Sequence, residues 1–292
     1  VTNLSFDIAE GETLGIVGES GCGKSTTARA VIQLPKPTSG VVEFKQEDLT
    51  NLKGEDLRNI RPDIQMIFQD PISSLNPRRS VFNIVSEGIN IWKEANGDLT
   101  EDRVIEIIKD VGLDVEEALV KRPHEYSGGQ CQRISIARAL VLDPKILICD
   151  EPVSSLDVSV QARILNMLED MKERYGLTLL FISHDLSVVK NVSDRVAVMS
   201  LGKLCEIGDG DLLYEEPAHP YTRLLLAAIP DPNNKHSGNL DVLEGELPSP
   251  INPPSGCRFR TRCPRATEKC AAEEPEFQQI GNDDHWVACH FP

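Results

Sequence analysis

The stretch 18–26 reads GESGCGKST, and it constrains the fold of this 292-residue chain more than any other feature. An apolar run, TLGIVG at 13–18, precedes it, and a helical pattern, TARAVIQL at 27–34, follows it. A strand, a glycine-rich turn and a helix start in this order let several backbone N–H groups converge on a phosphate chain at the positive end of the helix. A turn that merely joined a strand to a helix would not need the full spacing. The stretch therefore predicts a phosphate-binding loop in an α/β fold.

The side chains of this loop indicate how it would hold a nucleotide. Lys24 can reach the outer phosphates as a point charge, and the Ser25 hydroxyl can bind the Mg²⁺ that bridges them. Cys22 is interpreted as a small residue that fills the turn. The nucleotide-binding residues predicted in the loop are Gly18, Glu19, Ser20, Gly21, Cys22, Gly23, Lys24, Ser25 and Thr26.

Four further apolar runs have the length and the β-branched content of strands. They are IQMIFQ (64–69), KILICD (145–150), TLLFISH (178–184) and RVAVMS (195–200). Continuous apolar runs indicate strands that are covered on both faces, as in a parallel α/β sheet. The last run is followed by Leu201-Gly202-Lys203 and a further strand-like run, which predicts an antiparallel hairpin.

Two stretches interrupt or follow this pattern. Residues 73–143 are helical in character, and Val104, Ile107, Ile108 and Val111 form one apolar stripe, so we expect a helical subdomain inserted into the sheet. Near residue 230 the sequence becomes rich in turn formers and proline. We therefore expect a domain of residues 1–230 and a small C-terminal domain of residues 231–292.

Polar side chains follow three of the predicted strands. Asp150 and Glu151 end one run, His184 ends the next, and Gln69 ends an earlier one. Ligand chemistry in open α/β sheets occurs at the carboxyl edge of the strands. Asp150 suits a role on Mg²⁺, while Glu151 could polarise a water for attack on the terminal phosphate. His184 is predicted to sense that phosphate, and the Gln69 amide to bind Mg²⁺ and the attacking water.

The charge balance limits the possible partners. The chain carries 30 Lys and Arg against 46 Asp and Glu, a formal net charge of −16. Broad attraction to nucleic acid requires a basic surface, which this balance does not supply. The sequence contains no apolar run of the ~18–20 residues that span a bilayer, and its start lacks the pattern of a signal peptide. We expect a cytosolic protein unless a partner holds it at a membrane.

A second glycine-rich helix start, YSGGQCQRISIARAL at 126–140, identifies the family. Together with the phosphate loop, IFQDP, ILICDEP, SSLD and ISHD in this order, it resembles the ATP-binding subunits of ABC transporters, whose signature is SGGQ. The resemblance implies a phosphate-loop ATPase core and a head-to-tail dimer of two such ATPases, either copies or paralogues. It implies that Ser127, Gly128, Gly129 and Gln130 act on the partner's nucleotide, and that Asp157 communicates across the dimer.

Longer matches narrow the resemblance to one branch of the family. DEPVSSLDVSVQARILNML (150–168), HPYTRLLLAAIP (219–230) and LPSPINPPSGCRFRTRCP (247–264) are similar to ATP-binding subunits of oligopeptide and dipeptide importers, a group that includes nickel and sugar-oligomer importers. This implies two permease subunits and, indirectly, an extracytoplasmic peptide-binding protein. It implies a peripheral location on the cytoplasmic side of the membrane. The alternative is an ATPase subunit of a nickel or sugar-oligomer importer of the same group, and a soluble ABC ATPase without a transport role is a weaker one.

The tail carries four cysteines, Cys257, Cys263, Cys270 and Cys289. A cytosolic location disfavours disulfides, and the close C-x2-C pairs of many zinc sites are absent. Four thiolates are what a cubane iron–sulfur cluster requires. The resemblance implies a [4Fe–4S] cluster at these positions, with zinc or plain thiols as the alternatives.

Overall fold

The computed structural model describes residues 1–92, 100–229, 248–281 and 284–292. The chain forms two compact units: the first contains residues 1–8, 12–30 and 181–292, and the second contains residues 9–11 and 31–180. No helix within the described ranges is long and apolar enough to cross a membrane. The domain boundary expected at 230–231 lies outside the described residues.

Strands and helices are interspersed along the described residues, with a run of consecutive helices between β4 and β5. The strands are β1 (Thr13–Val17), β2 (Glu43–Phe44), β3 (Glu47–Asp48), β4 (Ile64–Ile67), β5 (Ile146–Asp150), β6 (Thr178–Ser183), β7 (Arg195–Ser200), β8 (Lys203–Asp209), β9 (Gln278–Gln279) and β10 (Trp286–Val287). The helices are α1 (Lys24–Val31), α2 (Gly54–Ile60), α3 (Pro71–Ser74), α4 (Val81–Val85), α5 (Glu87–Trp92), α6 (Glu101–Asp110), α7 (Val115–Val120), α8 (Gly128–Leu140), α9 (Val158–Tyr175), α10 (Leu186–Val192), α11 (Gly210–Glu215), α12 (Pro220–Ala227) and α13 (Glu268–Ala272).

In the first unit the strands run in the order β1-β7-β8-β10-β9. β1 pairs with β7 in parallel, and β7 pairs with β8 in antiparallel register around Leu201 and Gly202, as the hairpin prediction required. All five residues of β1 are buried, as expected for a strand covered on both faces. β10 pairs with β8, so the end of the chain adds strands to this sheet, which the sequence analysis did not predict.

In the second unit β4 and β5 pair in parallel, with Ile64 opposite Ile146. Helices α3 to α8 lie between these two strands in sequence. Three members of the apolar stripe, Val104, Ile107 and Ile108, lie buried on α6, and the fourth, Val111, is buried at its C-terminal end. The 3.6-residue spacing of these apolar residues thus correctly predicted a helix with one buried face.

A buried carboxylate connects the C-terminal strands to the rest of the first unit. Glu206 on β8 is fully buried and accepts hydrogen bonds from the backbone N–H groups of Ala218 and His219, at 2.7 and 3.0 Å. The His285 ring lies 2.7 Å from the same carboxylate. Burial alone would raise the pKa of Glu206, but the hydrogen bonds from His285 and the two backbone N–H groups outweigh it and lower that pKa.

We expect Glu206→Gln to lower the free energy of unfolding by about 2 kcal/mol, because the amide leaves buried donors without acceptors. The lowered pKa means that the carboxylate stabilises the fold above the ordinary glutamate value and loses this effect as the pH falls through the lowered value. The difference between the variant and the parent should therefore shrink in acid. Urea denaturation at neutral and acidic pH checks this, with the exposed Glu173→Gln as control. A difference that is independent of pH would contradict the assignment.

Candidate functional site

The predicted phosphate loop joins β1 to α1 in the first unit, where strand and helix follow each other as expected. The Lys24 side chain is 4% exposed, and its Nζ donates to the carbonyl oxygens of Gly18 and Glu19, at 2.7 and 3.3 Å. A Cβ atom at Gly18 would lie 2.1 Å from the Met199 carbonyl oxygen, so only glycine fits there. Cys22 is buried, as its interpretation as a turn-filling residue requires. The backbone of the loop thus surrounds the Lys24 side chain, which bonds to two of its carbonyl oxygens.

Two side chains far away in the sequence contact the second residue of the loop. Arg262 donates from both terminal nitrogens to the Glu19 carboxylate, at 2.7 and 2.9 Å. The Tyr221 hydroxyl accepts a hydrogen bond from the Glu19 backbone N–H at 3.0 Å. Sequence reasoning missed both residues, because no local pattern connects them with the loop.

The acidic strand end and Gln69 come together in the second unit. Asp150 ends β5 and is 1% exposed, while Glu151 follows it with a positive φ of 49°. Gln69 Nε2 donates to Glu151 Oε2 at 3.1 Å. A non-glycine residue in the left-handed region is uncommon and occurs where surrounding structure holds it. This conformation turns the chain at the strand end, so that Glu151 and Gln69 lie side by side.

The predicted signature forms the start of α8. Ser127 is its N-cap: its hydroxyl accepts from the Gln130 backbone N–H at 3.3 Å, and the Gln130 side chain accepts from the Ser127 N–H at 2.9 Å. This reciprocal pair is a capping box. Ser127, Gly128 and Gln130 are exposed, and a Cβ atom at Gly129 would lie 2.5 Å from Val160. The helix start is therefore fixed in shape and open to a ligand.

The last two predicted polar residues also lie at the ends of regular elements. Asp157 is the exposed N-cap of α9 and accepts from the Val160 N–H at 3.0 Å. The Ser159 hydroxyl and the backbone N–H groups lower the pKa of Asp157. In the first unit, His184 is exposed and directly follows β6. Asp157 thus caps the N-terminus of α9.

The four tail cysteines line a single cavity, together with His290. Burial raises the pKa of the Cys257, Cys263 and Cys289 thiols, and neighbouring cysteines add to the effect. In the part of the chain that the structure describes, no three His, Cys, Asp or Glu side chains are arranged to hold a metal ion. The four cysteines predicted as metal ligands thus lie around one cavity, but their side chains are not arranged as a preformed ligand set.

Several known proteins are similar to this chain. Residues 1–154 match the family described as "ABC transporter", and residues 205–270 match "Oligopeptide/dipeptide transporter, C-terminal region". The oligopeptide transport ATP-binding protein OppF of Salmonella typhimurium is 52% identical over 99% of this chain and 86% of its own length. The oligopeptide transport ATP-binding protein AppF of Bacillus subtilis is 51% identical over 99% of this chain and 88% of its own length.

Solved structures have the same fold. The structure of cbiO1 from Clostridium perfringens, part of the cbiONQ ABC transporter complex, has a TM-score of 0.64 at 32% identity, covering 72% of this chain and 82% of that one. A dimeric post-hydrolysis state of the ATP-binding cassette MJ0796, bound to ADP and Pi, has a TM-score of 0.63 at 31% identity. It covers 71% of this chain and 89% of that chain.

The phosphate loop, the acidic strand end and the second glycine-rich helix start define an ABC-type ATPase with a mixed α/β sheet. The chain belongs to the ABC transporter family, among the ATP-binding subunits of its oligopeptide/dipeptide branch. It is thus an enzyme that binds ATP with Mg²⁺ and hydrolyses it. The resemblance stated from the sequence motifs is confirmed.

Proposed function

We propose that this chain hydrolyses ATP to power the import of oligopeptides or dipeptides through an ABC transporter. The observation that carries the proposal is the C-terminal match at residues 205–270, since this region belongs to the oligopeptide/dipeptide branch and not to ABC ATPases in general. The relatives named as oligopeptide transport proteins support it. ATPase subunits of nickel or sugar-oligomer importers are the second candidate, and a soluble ABC ATPase is a weaker one.

In this proposal the residues of one chain bind ATP and position the attacking water. The phosphate loop from Gly18 to Thr26 holds the phosphates, with Lys24 on the outer ones. Ser25, Gln69 and Asp150 would hold Mg²⁺, which would supply positive charge to neutralise the charge that develops on the phosphates. Glu151 polarises the water, and its hydrogen bond with Gln69 keeps the two side chains adjacent. His184 contacts the terminal phosphate.

A second ATPase subunit, a copy or a paralogue, completes each site. Ser127, Gly128, Gly129 and Gln130 bind the phosphate held by the partner's loop, because the exposed start of α8 is the positive end of the helix dipole. Asp157 connects the two subunits. The dimeric form of the similar cassette MJ0796 supports this arrangement.

The chain acts at the cytoplasmic face of the cell membrane, bound to two permease subunits that work with an extracytoplasmic peptide-binding protein. Residues 1–230 form the ATPase domain, with residues 73–143 as its helical subdomain, and residues 231–292 form the C-terminal domain. Purification of the chain from membranes, followed by mass spectrometry of bound proteins, tests the proposal. Co-purification of peptide permeases is expected; recovery of nickel permeases, or of no membrane protein, would contradict it.

We further propose that Cys257, Cys263, Cys270 and Cys289 hold a [4Fe–4S] cluster, with zinc as the alternative. Their common cavity supports this, whereas their arrangement does not yet match a metal site. Because burial raises the thiol pKa values, metal uptake must release protons and should weaken as the pH falls. The cluster would link four separate parts of the tail.

Anaerobic purification followed by iron, sulfide and zinc analysis decides between these ligands. We expect about four iron and four sulfide per chain, and loss of both in a Cys263→Ala variant. The buried Cys149 lies outside the cavity, so Cys149→Ala is the matched control and should retain the metal. A colourless protein with one zinc would favour the alternative, and a metal-free protein would contradict both.

A further inference from the structure

The C-terminal segment contacts the phosphate loop directly. Arg262 directly precedes Cys263, and its guanidinium forms the two-bond contact with the Glu19 carboxylate. The two residues are 243 positions apart in the sequence. A cavity-lining segment of the tail thus touches the second residue of the loop that binds phosphate.

This ion pair is mostly removed from water. The Arg262 side chain is 6% exposed and that of Glu19 is 20% exposed. Parallel N–H···O bonds between a guanidinium and a carboxylate fix both distance and orientation, and burial makes them stronger than an exposed pair. The hydrogen bonds from Arg262 to Glu19 also raise the pKa of the guanidinium. The two bonds therefore fix the Glu19 carboxylate and the Arg262 guanidinium relative to each other.

Glu19 is held at each of its polar groups. Its backbone N–H donates to the Tyr221 hydroxyl, its carbonyl accepts from Lys24, and its carboxylate accepts from Arg262. The neighbouring Arg258 of the same segment donates to the Leu201 carbonyl oxygen. The next residue, Gly202, donates its N–H to the Cys22 carbonyl oxygen at 2.7 Å. The tail thus contacts the loop directly at Glu19, and it also bonds to the Leu201-Gly202 turn, which in turn bonds to Cys22 of the loop.

A carboxylate in a phosphate loop opposes the binding of a polyanion unless a cation neutralises it. A loop that binds through converging N–H groups also requires a fixed backbone before the ligand arrives. Arg262, which is not part of the loop, neutralises the Glu19 carboxylate and holds it in place.

We propose that Arg262 is a positioning residue for ATP: its paired bonds with Glu19 neutralise and fix the phosphate loop, so that the C-terminal segment sets nucleotide affinity. The inference rests on the proposed function only in taking the loop as the ATP site. It does not depend on the transported substrate or on a metal at the cysteines.

A double-mutant cycle on the full chain tests the inference, with a fluorescent ATP analogue as the probe. We expect Arg262→Gln to raise the Kd for the nucleotide about tenfold, with kcat at saturating ATP nearly unchanged. The Kd of Arg262→Lys should lie between those of the parent and of Arg262→Gln, because lysine keeps the positive charge but cannot form the two parallel bonds. In a Glu19→Gln background, Arg262→Gln should add little, since the carboxylate that it neutralises is gone.

Arg223→Gln is the matched control, since this exposed arginine on α12 donates to the Pro217 carbonyl oxygen and not to the loop. It removes the same charge from the same unit and should leave Kd unchanged. Arg262→Gln with unchanged Kd, or with a lower kcat and melting temperature alone, would overturn the inference. The inference would also be overturned if the effects of Arg262→Gln and Glu19→Gln on the Kd were additive in the double variant. A parent protein that does not bind the probe would instead refute the ATP site itself.

Discussion

Glu151→Gln should reduce ATP hydrolysis by about 100-fold or more, the range by which a positioned general base accelerates a reaction. Glutamine keeps the size of the side chain and can still bond with Gln69, but it cannot accept a proton from the attacking water. ATP binding should persist, because the phosphate loop is unchanged. The variant should therefore hold ATP without turning it over.

Phosphate release and nucleotide binding, measured on the same preparation, check this prediction. The exposed Glu169→Gln on α9 removes the same charge from the same unit and should hydrolyse ATP at the parental rate. Hydrolysis by Glu151→Gln at more than a tenth of the parental rate would refute the assignment. Loss of binding would instead indicate that Glu151 holds the nucleotide.

Ser127→Arg should abolish hydrolysis while leaving nucleotide binding nearly intact. Ser127 caps an exposed helix start, where a long cationic side chain would occupy the space that a phosphate from a second subunit requires. Removing one preorganised donor for a charged transition state costs a factor of about 100 or more. Because the signature serves the partner's nucleotide, the ATP held by the variant's own loop should be unaffected.

Steady-state ATPase assays with equilibrium binding separate these two effects. Thr100→Arg places the same cation at another exposed helix N-cap of the second unit, at α6, and should remain active. If Ser127→Arg failed to bind ATP, the signature would belong to the same chain's site and the in-trans proposal would be refuted.

Local patterns predicted much of this protein. The apolar runs became β1, β4, β5, β6 and β7, and the Leu201-Gly202 turn became a hairpin, because strand and turn preferences depend on neighbouring residues. The two glycine-rich helix starts were also predictable, since each is contained in a short stretch.

Contacts between distant residues could not be predicted in this way. Arg262 lies in a polar, proline-containing tail, and nothing near it indicates that it bonds to Glu19. Glu206 offered one signal, a lone acid inside the apolar run LCEIG, which predicts a buried charge with a partner. Its partner His285 is 79 residues away and could be found only in the fold.

The most direct test of the proposed function is uptake of a labelled oligopeptide by cells in which this chain is replaced by Glu151→Gln. If ATP hydrolysis by this chain powers peptide import, uptake should fall to the level of cells that lack the chain, although the variant protein is present and bound at the membrane. Uptake at the parental level would contradict the account.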